Sequence, residues 1–226
     1  MPGTYLLLIA EKSVKQMLNM TNDSIKDLSA NEIDIKVFDL LKHYDVNVIA
    51  DHLTKINPAH VENEVKNGNG QNLYYQWLAC LVRLLKPKQV VELGAAAGIS
   101  TIMIATELSK DAKFYSVDND PNIAWKWMSR DYPQLTKILG DDLNMAIWDG
   151  SIDLLKTDLW FIDTLHTTKQ LTKEIELYSP YWKRGTIVAF DDIRIPEVYS
   201  VWESLKYDKR ENTNPCHYSG FGFVKI

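Results

Sequence analysis

The chain has 226 residues, of which 46% are hydrophobic, and a formal net charge of −5 with an isoelectric point near 5.6. This length and composition suffice for one domain with a sizeable core, and the acidic balance argues against a nucleic-acid-binding surface. No apolar run approaches the ~20 residues that span a bilayer, and only two cysteines are present. We therefore expect a cytoplasmic protein without a disulfide framework and with neither a nucleic-acid nor a membrane partner.

The first part of the chain carries helical rather than strand-like patterns. Apolar residues recur with helical spacing over Tyr5 to Met20 and again over Ile33 to Leu53. The stretch from Lys66 to Gly70 is rich in Gly and Asn, and it predicts a loop. We predict an N-terminal helical cap over residues 1–67, which could carry homo-oligomer contacts, and a core domain over residues 68–226.

Helical and strand patterns alternate along the core, which is typical of a parallel sheet with helices on both faces. The predicted strands are Gln89–Leu93, Lys113–Val117, Thr136–Leu139, Leu159–Ile162, Thr186–Phe190, Tyr207–Arg210 and Gly220–Ile226. The predicted helices are Leu73–Leu85, Ile99–Leu108, Pro121–Asp131, Thr168–Tyr178 and Pro196–Leu205. The last two strands have no predicted helix between them, which indicates an antiparallel edge strand. The fold class is therefore α/β, with a doubly wound, mostly parallel sheet.

The first of these strands runs into a turn with two glycines. Residues 92–98 read E-x-G-x-x-x-G, and a Ser-Thr pair then opens a helix. Gly94 and Gly98 allow a ligand to approach the backbone, and the start of the helix offers free N–H groups to a carboxylate or phosphate. The spacing differs from the G-x-G-x-x-G of dinucleotide sites.

Acidic residues occur at the carboxyl ends of five predicted strands, where open α/β sheets bind ligands. They are Glu92, Asp118, Asp141 with Asp142, Asp163, and Asp191 with Asp192. Asp118, about 20 residues beyond the glycine turn, could bind ribose hydroxyls or cap the following helix. Asp142 could contact an adenine amino group or cap a short helix.

Three of these acids predict a cation site. Asp163, Asp191 and Asp192 at two adjacent strand ends would repel one another unless they were protonated or shared a cation. Their oxygen ligands favour Mg²⁺, Mn²⁺ or Ca²⁺ over zinc. The alternative is a helix cap at Asp163 and a solvated turn at the other two.

His166 follows Asp163 by three positions, on the same predicted loop. An imidazole can accept a hydroxyl proton near neutral pH, so His166 is a candidate general base. The alternative is a structural or exposed histidine. The other histidines have no comparable context and receive no role; they are His43, His52, His60 and His217.

In combination, these motifs resemble the metal-dependent class I O-methyltransferases that use S-adenosylmethionine (SAM), a group with catechol, caffeoyl-CoA and sugar O-methyltransferases. The resemblance covers roughly residues 68–226, and it implies a Rossmann-like seven-stranded sheet with an antiparallel last strand. It also implies that the glycine loop wraps the methionine part of SAM through Glu92, Gly94, Gly98 and Ser100. Gly70 is a further candidate contact, and Asp118 is the expected ribose ligand.

The resemblance also implies a reaction. Asp163, Asp191 and Asp192 would bind Mg²⁺ or a related ion, and Asp163 and His166 would act in methyl transfer to a hydroxyl of a small molecule. Catechol enzymes carry Lys where His166 stands, so the chain is more similar to the sugar-modifying branch, and the acceptor could be a sugar, a polyol or a catechol-like compound. The alternatives are an NAD-dependent oxidoreductase on a related fold, a non-catalytic binding module, and transfer to a protein, to RNA or to nitrogen.

Overall fold

A seven-stranded sheet forms the centre of the molecule in the computed structural model, which describes residues 15–45, 73–150 and 152–226. Its strand order is β3-β2-β1-β4-β5-β7-β6. The first five strands run parallel, and β7 is antiparallel to both of its neighbours. The strands are β1 (Gln89–Leu93), β2 (Lys113–Asp118), β3 (Leu135–Leu139), β4 (Leu159–Ile162), β5 (Ile187–Asp191), β6 (Asp208–Glu211) and β7 (Phe221–Lys225). The predicted fold class and all seven strands are confirmed.

Helices cover both faces of this sheet. They are α1 (Asn22–Lys26), α2 (Ala30–Leu41), α3 (Tyr74–Leu85), α4 (Ile99–Glu107), α5 (Thr168–Tyr178), α6 (Pro196–Ser204) and the short α7 (Thr213–Cys216). The four-residue α7 lies between β6 and β7, where no helix was predicted. Among the described residues no helix combines the length and apolar character that crossing a membrane would require.

One predicted helix is wrong. Residues 121–127 form a succession of turns instead of the helix predicted over Pro121–Asp131. The backbone N–H of Trp125 donates to the Ala96 carbonyl at 2.8 Å, and that of Trp127 donates to the Ala97 carbonyl at 3.0 Å. A helix needs those N–H groups for its own carbonyls four residues earlier, so docking onto the glycine turn replaces helical hydrogen bonding.

The strand β1 is buried along its whole length and divides the core into two layers. Val90 packs in the cluster that contains α2 and α3, whereas Val91 packs in the cluster that contains α5 and α6. Alternate residues of a strand point to opposite faces, and each fully buried valine contributes ~1.5–3 kcal/mol. The apolar pair thus fixes β1 at the centre of the sheet and its carboxyl end at the middle of the site.

The described part of the N-terminal segment packs on the core. Ser29 and Glu32 form a capping box that starts α2, and the buried Asp34 accepts hydrogen bonds from Trp77 Nε1 at 3.2 Å and Asn212 Nδ2 at 2.6 Å. The helix ends at Leu41, earlier than predicted, because the next turns close with three-residue hydrogen bonds. The predicted boundary at residue 67, and most of the predicted helix over residues 5–20, lie outside the described residues.

Candidate active site

A cavity of about 440 Å³ opens at the carboxyl ends of β1 to β4. It is lined by Gly94, Ala96, Val117, Asp118, Asn119, Asp120, Ile123, Asp141, Asp142, Leu143, Asp163, Thr164, Leu165 and Gln170. Gly94, Asp118 and Asp142 of the predicted cofactor contacts therefore reach the cavity. Glu92, Gly98 and Ser100 are not in its lining, and Gly70 lies outside the described residues.

The close approach of the backbone that follows β4 requires glycine at position 94. The φ of Gly94 is +86°, and a Cβ there would lie 1.8 Å from the backbone oxygen of Asp163. Gly98 starts α4 with φ +95°, and its Cβ would meet the Met128 side chain at 3.0 Å. Both positions are in the left-handed region that favours glycine, so the spacing of the motif is set by the backbone.

Glu92 lies beneath the glycine turn, where it joins β1, β2 and α4. It is fully buried, and one carboxylate oxygen accepts from Thr101 Oγ1 at 2.6 Å and from Ser116 Oγ at 2.5 Å. Trp125 Nε1 in turn donates to Ser116 at 2.8 Å. Burial raises the pKa of Glu92 to about 7. Its second oxygen has no hydrogen-bond partner among the described residues, which leaves one acceptor below the cofactor loop.

Asp118 ties the end of β2 to the glycine turn. Its Oδ2 accepts from the Ala96 N–H at 2.7 Å, and its Oδ1 accepts from the Asp120 N–H at 2.8 Å. The donor residue Ala96 has a positive φ of 42°. Each carboxylate oxygen can still accept another bond, so Asp118 can hold the loop and bind a hydroxyl in the cavity.

The far wall of the cavity is built on Asp142, which is buried at the end of β3. Gln170 Nε2 donates to the Asp142 oxygens at 3.1 and 3.2 Å, and it donates to Glu174 Oε1 at 2.8 Å. The Tyr178 hydroxyl donates to the Asp142 carbonyl. The helix α5 therefore supplies all of these partners, and it fixes the position of Asp142.

The predicted metal acids cluster beside the cavity. Asp163 follows β4, Asp191 ends β5, and Asp192 comes next with φ +56°. Two sets of potential ligand atoms, each within 4.8 Å of one another, share Asp192: one adds Asp163 and His166, and the other adds Asp191 and His217. The structure thus brings the three predicted acids and His166 together, although as two overlapping sets.

His217 is a member of the cluster that the sequence analysis did not identify. Its Nδ1 lies 2.7 Å from Asp191 Oδ1 and 3.7 Å from Asp192 Oδ1. The residue is buried on the segment before β7, and the β5–β7 pairing brings it beside the end of β5. Only the position just before an inserted antiparallel strand could have signalled this placement.

Charge crowding dominates the electrostatics of the cluster. Burial and the neighbouring Asp191 raise the pKa of Asp163 to about 7, and burial also raises the pKa of Asp191. Hydrogen bonds to Asp163 and Asp192 raise the pKa of His166 to about 10. Although burial opposes the change, hydrogen bonds from His166 and Ser219 lower the pKa of Asp192. The carboxylates therefore favour positive charge among them.

Asp163, His166 and Asp192 have ligand atoms spaced for a divalent cation. When the carboxylates alone hold the cation, the imidazole is left free to act as a base. His166 Nε2 lies 2.8 Å from Asp192 Oδ2 and 3.4 Å from Asp163 Oδ1. Neighbouring ligands of an octahedral ion with bonds near 2.1 Å lie roughly 3.0 Å apart. Carboxylate oxygens alone suit Mg²⁺ or Mn²⁺, whereas a set that includes an imidazole nitrogen suits transition-metal ions.

Comparison with known proteins identifies a family match for part of the chain and several structures with a similar fold. Residues 91–193 match a protein family described as a methyltransferase domain, whereas no curated protein matches the chain. A candidate caffeoyl-CoA O-methyltransferase from Staphylococcus aureus has a similar fold, with a TM-score of 0.57 and 17% identity over 85% of this chain and 99% of that one. A methyltransferase from Geobacter sulfurreducens is also similar, with a TM-score of 0.52 and 14% identity over 81% of this chain and 99% of that one.

A third similar structure is the O-methyltransferase TomG from Streptomyces achromogenes, solved in complex with SAM, with a TM-score of 0.50 and 15% identity over 80% of this chain and 95% of that one. The matched segment spans the glycine turn and the acids that follow β2 to β5. Residues 91–193 thus match a methyltransferase domain, and the similar structures share the fold of this chain. The motif spacing and this match favour SAM over the alternative cofactor NAD.

Proposed function

We propose that this protein is a SAM-dependent methyltransferase that transfers the methyl group of SAM to a hydroxyl oxygen of a small molecule, with a divalent cation held by Asp163, Asp191 and Asp192. Asp163 carries the proposal, because it lines the cofactor cavity and also belongs to the acid–histidine cluster. A donor bound in the cavity and an acceptor at the cluster would therefore be neighbours.

The cofactor half of the site would orient SAM. The methionine part would lie over the turn at Gly94, the ribose against Asp118, and the adenine towards Asp142. Alignment of donor and acceptor can supply ~7–11 kcal/mol of barrier reduction. Methyl transfer is a displacement at one carbon, so it depends directly on that alignment.

The acceptor half would bind and deprotonate the hydroxyl. A divalent cation, when bound, would offset the charge of the carboxylates and polarise an acceptor oxygen. His166 would take the proton from the hydroxyl through the imidazole that faces Asp163 and Asp192 in the structure. A cation bound among these carboxylates would weaken their stabilisation of protonated His166. The imidazole would then be neutral and could act as the base.

The nature of the acceptor follows from the same residues. His166, in place of a lysine, favours a sugar or polyol over a catechol. Two of the similar structures are described by their names as O-methyltransferases, one of them a candidate for caffeoyl-CoA and the other a participant in tomaymycin synthesis. These names support oxygen as the acceptor atom without defining the substrate of this chain.

Methyl transfer to a panel of sugars, polyols and catechols tests the proposal, with S-adenosylhomocysteine (SAH) measured as the common product. We expect SAH to form with a hydroxyl acceptor, to stop with EDTA, and to resume when Mg²⁺ or Mn²⁺ is restored. Full activity in EDTA would overturn the metal part of the proposal. A methylated nitrogen in the product would overturn the assignment of oxygen.

A further inference from the structure

A second buried carboxyl group, that of Glu174, lies directly behind the cofactor cavity. Glu174 is on α5 and has no exposed surface, whereas its neighbour Asp142 lines the cavity. Gln170 Nε2 donates to both carboxyl groups, and Thr164 Oγ1 donates to the same Glu174 oxygen that Gln170 contacts. Glu174 is therefore connected to the cavity wall on two sides.

The hydrogen bonds around Glu174 leave one position for a proton. Its Oε2 is buried without a donor among the described residues. The Asp142 carboxyl is a close neighbour, because Gln170 Nε2 contacts Asp142 Oδ2 at 3.1 Å and Glu174 Oε1 at 2.8 Å. Two carboxylates cannot share a hydrogen bond unless one of them is protonated. Burial and this neighbour raise the pKa of Glu174 to about 8, so the pair retains one proton at neutral pH.

We propose that Glu174 is a positioning residue for the adenine of SAM. A proton on its carboxyl would bridge to Asp142 and hold that carboxylate with an oxygen directed into the cavity, where it accepts the exocyclic amino group. The inference rests on the proposed placement of adenine against Asp142. It adds a buried partner on α5, which makes recognition of the amino group depend on the protonation of a residue outside the cavity lining.

The ionisable surroundings determine the direction of the pH effect. Among the described residues, the titratable groups that act most strongly on the pair are Asp141 and Tyr178, together with the two carboxyls themselves, and all of them are acids. Loss of the shared proton would leave two adjacent buried anions. Because a bound ligand excludes water, it raises the cost of that state further, so affinity for the cofactor falls as pH rises above about 8.

Calorimetric titration with two probes tests the proposal: SAH, and its analogue that carries unsubstituted purine in place of adenine. We expect Glu174→Ala to weaken SAH binding about tenfold, as loss of a hydrogen bond to a charged group does, and to leave the purine analogue within about twofold of wild type. Glu174→Gln can still donate to Asp142, so it should bind SAH as wild type does at pH 7. Glu176→Ala, an exposed change on the same helix, is the matched control and should alter neither ligand.

A pH series adds a second measurement that survives a folding defect in Glu174→Ala. Affinity of the wild type for SAH should fall above about pH 8, whereas Glu174→Gln should show no such fall. Equal weakening of both probes by Glu174→Ala, no weakening of either, or the same pH profile in wild type and Glu174→Gln would overturn the role of Glu174. A wild-type protein that fails to bind SAH would instead refute the cofactor assignment.

Discussion

The two halves of the site hold their acids in different ways. In the cofactor half, Asp118 accepts from two backbone N–H groups, and Glu92 accepts from two hydroxyls. In the acceptor half, burial raises the pKa of both Asp163 and Asp191, and these acids face two histidines.

The cofactor half is therefore preorganised by its own hydrogen bonds, whereas the acceptor half is arranged to bind a positive charge. Acids whose charge is met by fixed donors maintain the shape of a loop without a ligand. Acids crowded against one another favour a bound positive charge. Asp163 joins the two halves, because its backbone oxygen packs on Gly94 while its side chain belongs to the cluster.

The largest effect should come from the contact that joins the halves. Gly94→Ala places a Cβ 1.8 Å from the Asp163 backbone oxygen at φ +86°, and we expect a loss of about 3 kcal/mol or more in the free energy of unfolding. Urea unfolding measures this loss. A Cβ at Gly150 meets no atom within 4 Å, so Gly150→Ala is the matched control. Equal stability of the two variants would show that the close approach of the strands is not required.

A large effect confined to the acceptor half is expected from His166→Ala. Removal of a general base lowers turnover about 10²–10⁴-fold, while SAH affinity should stay unchanged because His166 does not line the cavity. Steady-state kinetics with an identified acceptor measure the turnover rate, and SAH titration measures the affinity. A near-normal rate would leave His166 with a structural role only.

Asp192→Asn tests cation binding by the acceptor half. Asparagine tolerates the left-handed backbone at φ +56°, so the variant should fold while it loses one carboxylate. We expect Mn²⁺ affinity to fall ~10–100-fold, as measured by the paramagnetic resonance of free Mn²⁺. Unchanged Mn²⁺ affinity would remove Asp192 from the proposed set of ligands.

The smallest effect should come from a single hydrogen bond within the cofactor half. Trp125→Phe removes the hydrogen bond from Nε1 to Ser116 and keeps an aromatic ring, so we expect a loss of about 1 kcal/mol in stability. Mn²⁺ affinity should not change, because this contact belongs to the cofactor half alone. A change in Mn²⁺ affinity would show that the two halves are more tightly coupled than the contacts indicate.

The sequence predicts the centre of the sheet well because β4 and β5 are short, fully buried apolar runs followed by an acid. It predicts α5 as a helix, and the pattern gives no sign that Glu174 is buried rather than solvated. The helix predicted after β2 fails because the N–H groups of Trp125 and Trp127 bind the glycine turn. His217 escapes prediction because strand insertion, rather than sequence distance, places it beside Asp191.

The two halves of the site should be separable, and crossed titrations of two variants measure their independence. SAH and Mn²⁺ are each titrated into the wild type, Asp118→Ala and Asp192→Asn. We predict that the wild type binds both probes, that Asp118→Ala loses affinity for SAH alone, and that Asp192→Asn loses affinity for Mn²⁺ alone. A wild type that fails to bind Mn²⁺, or a variant that loses both probes together while it remains folded, would show that the site does not consist of two independent halves.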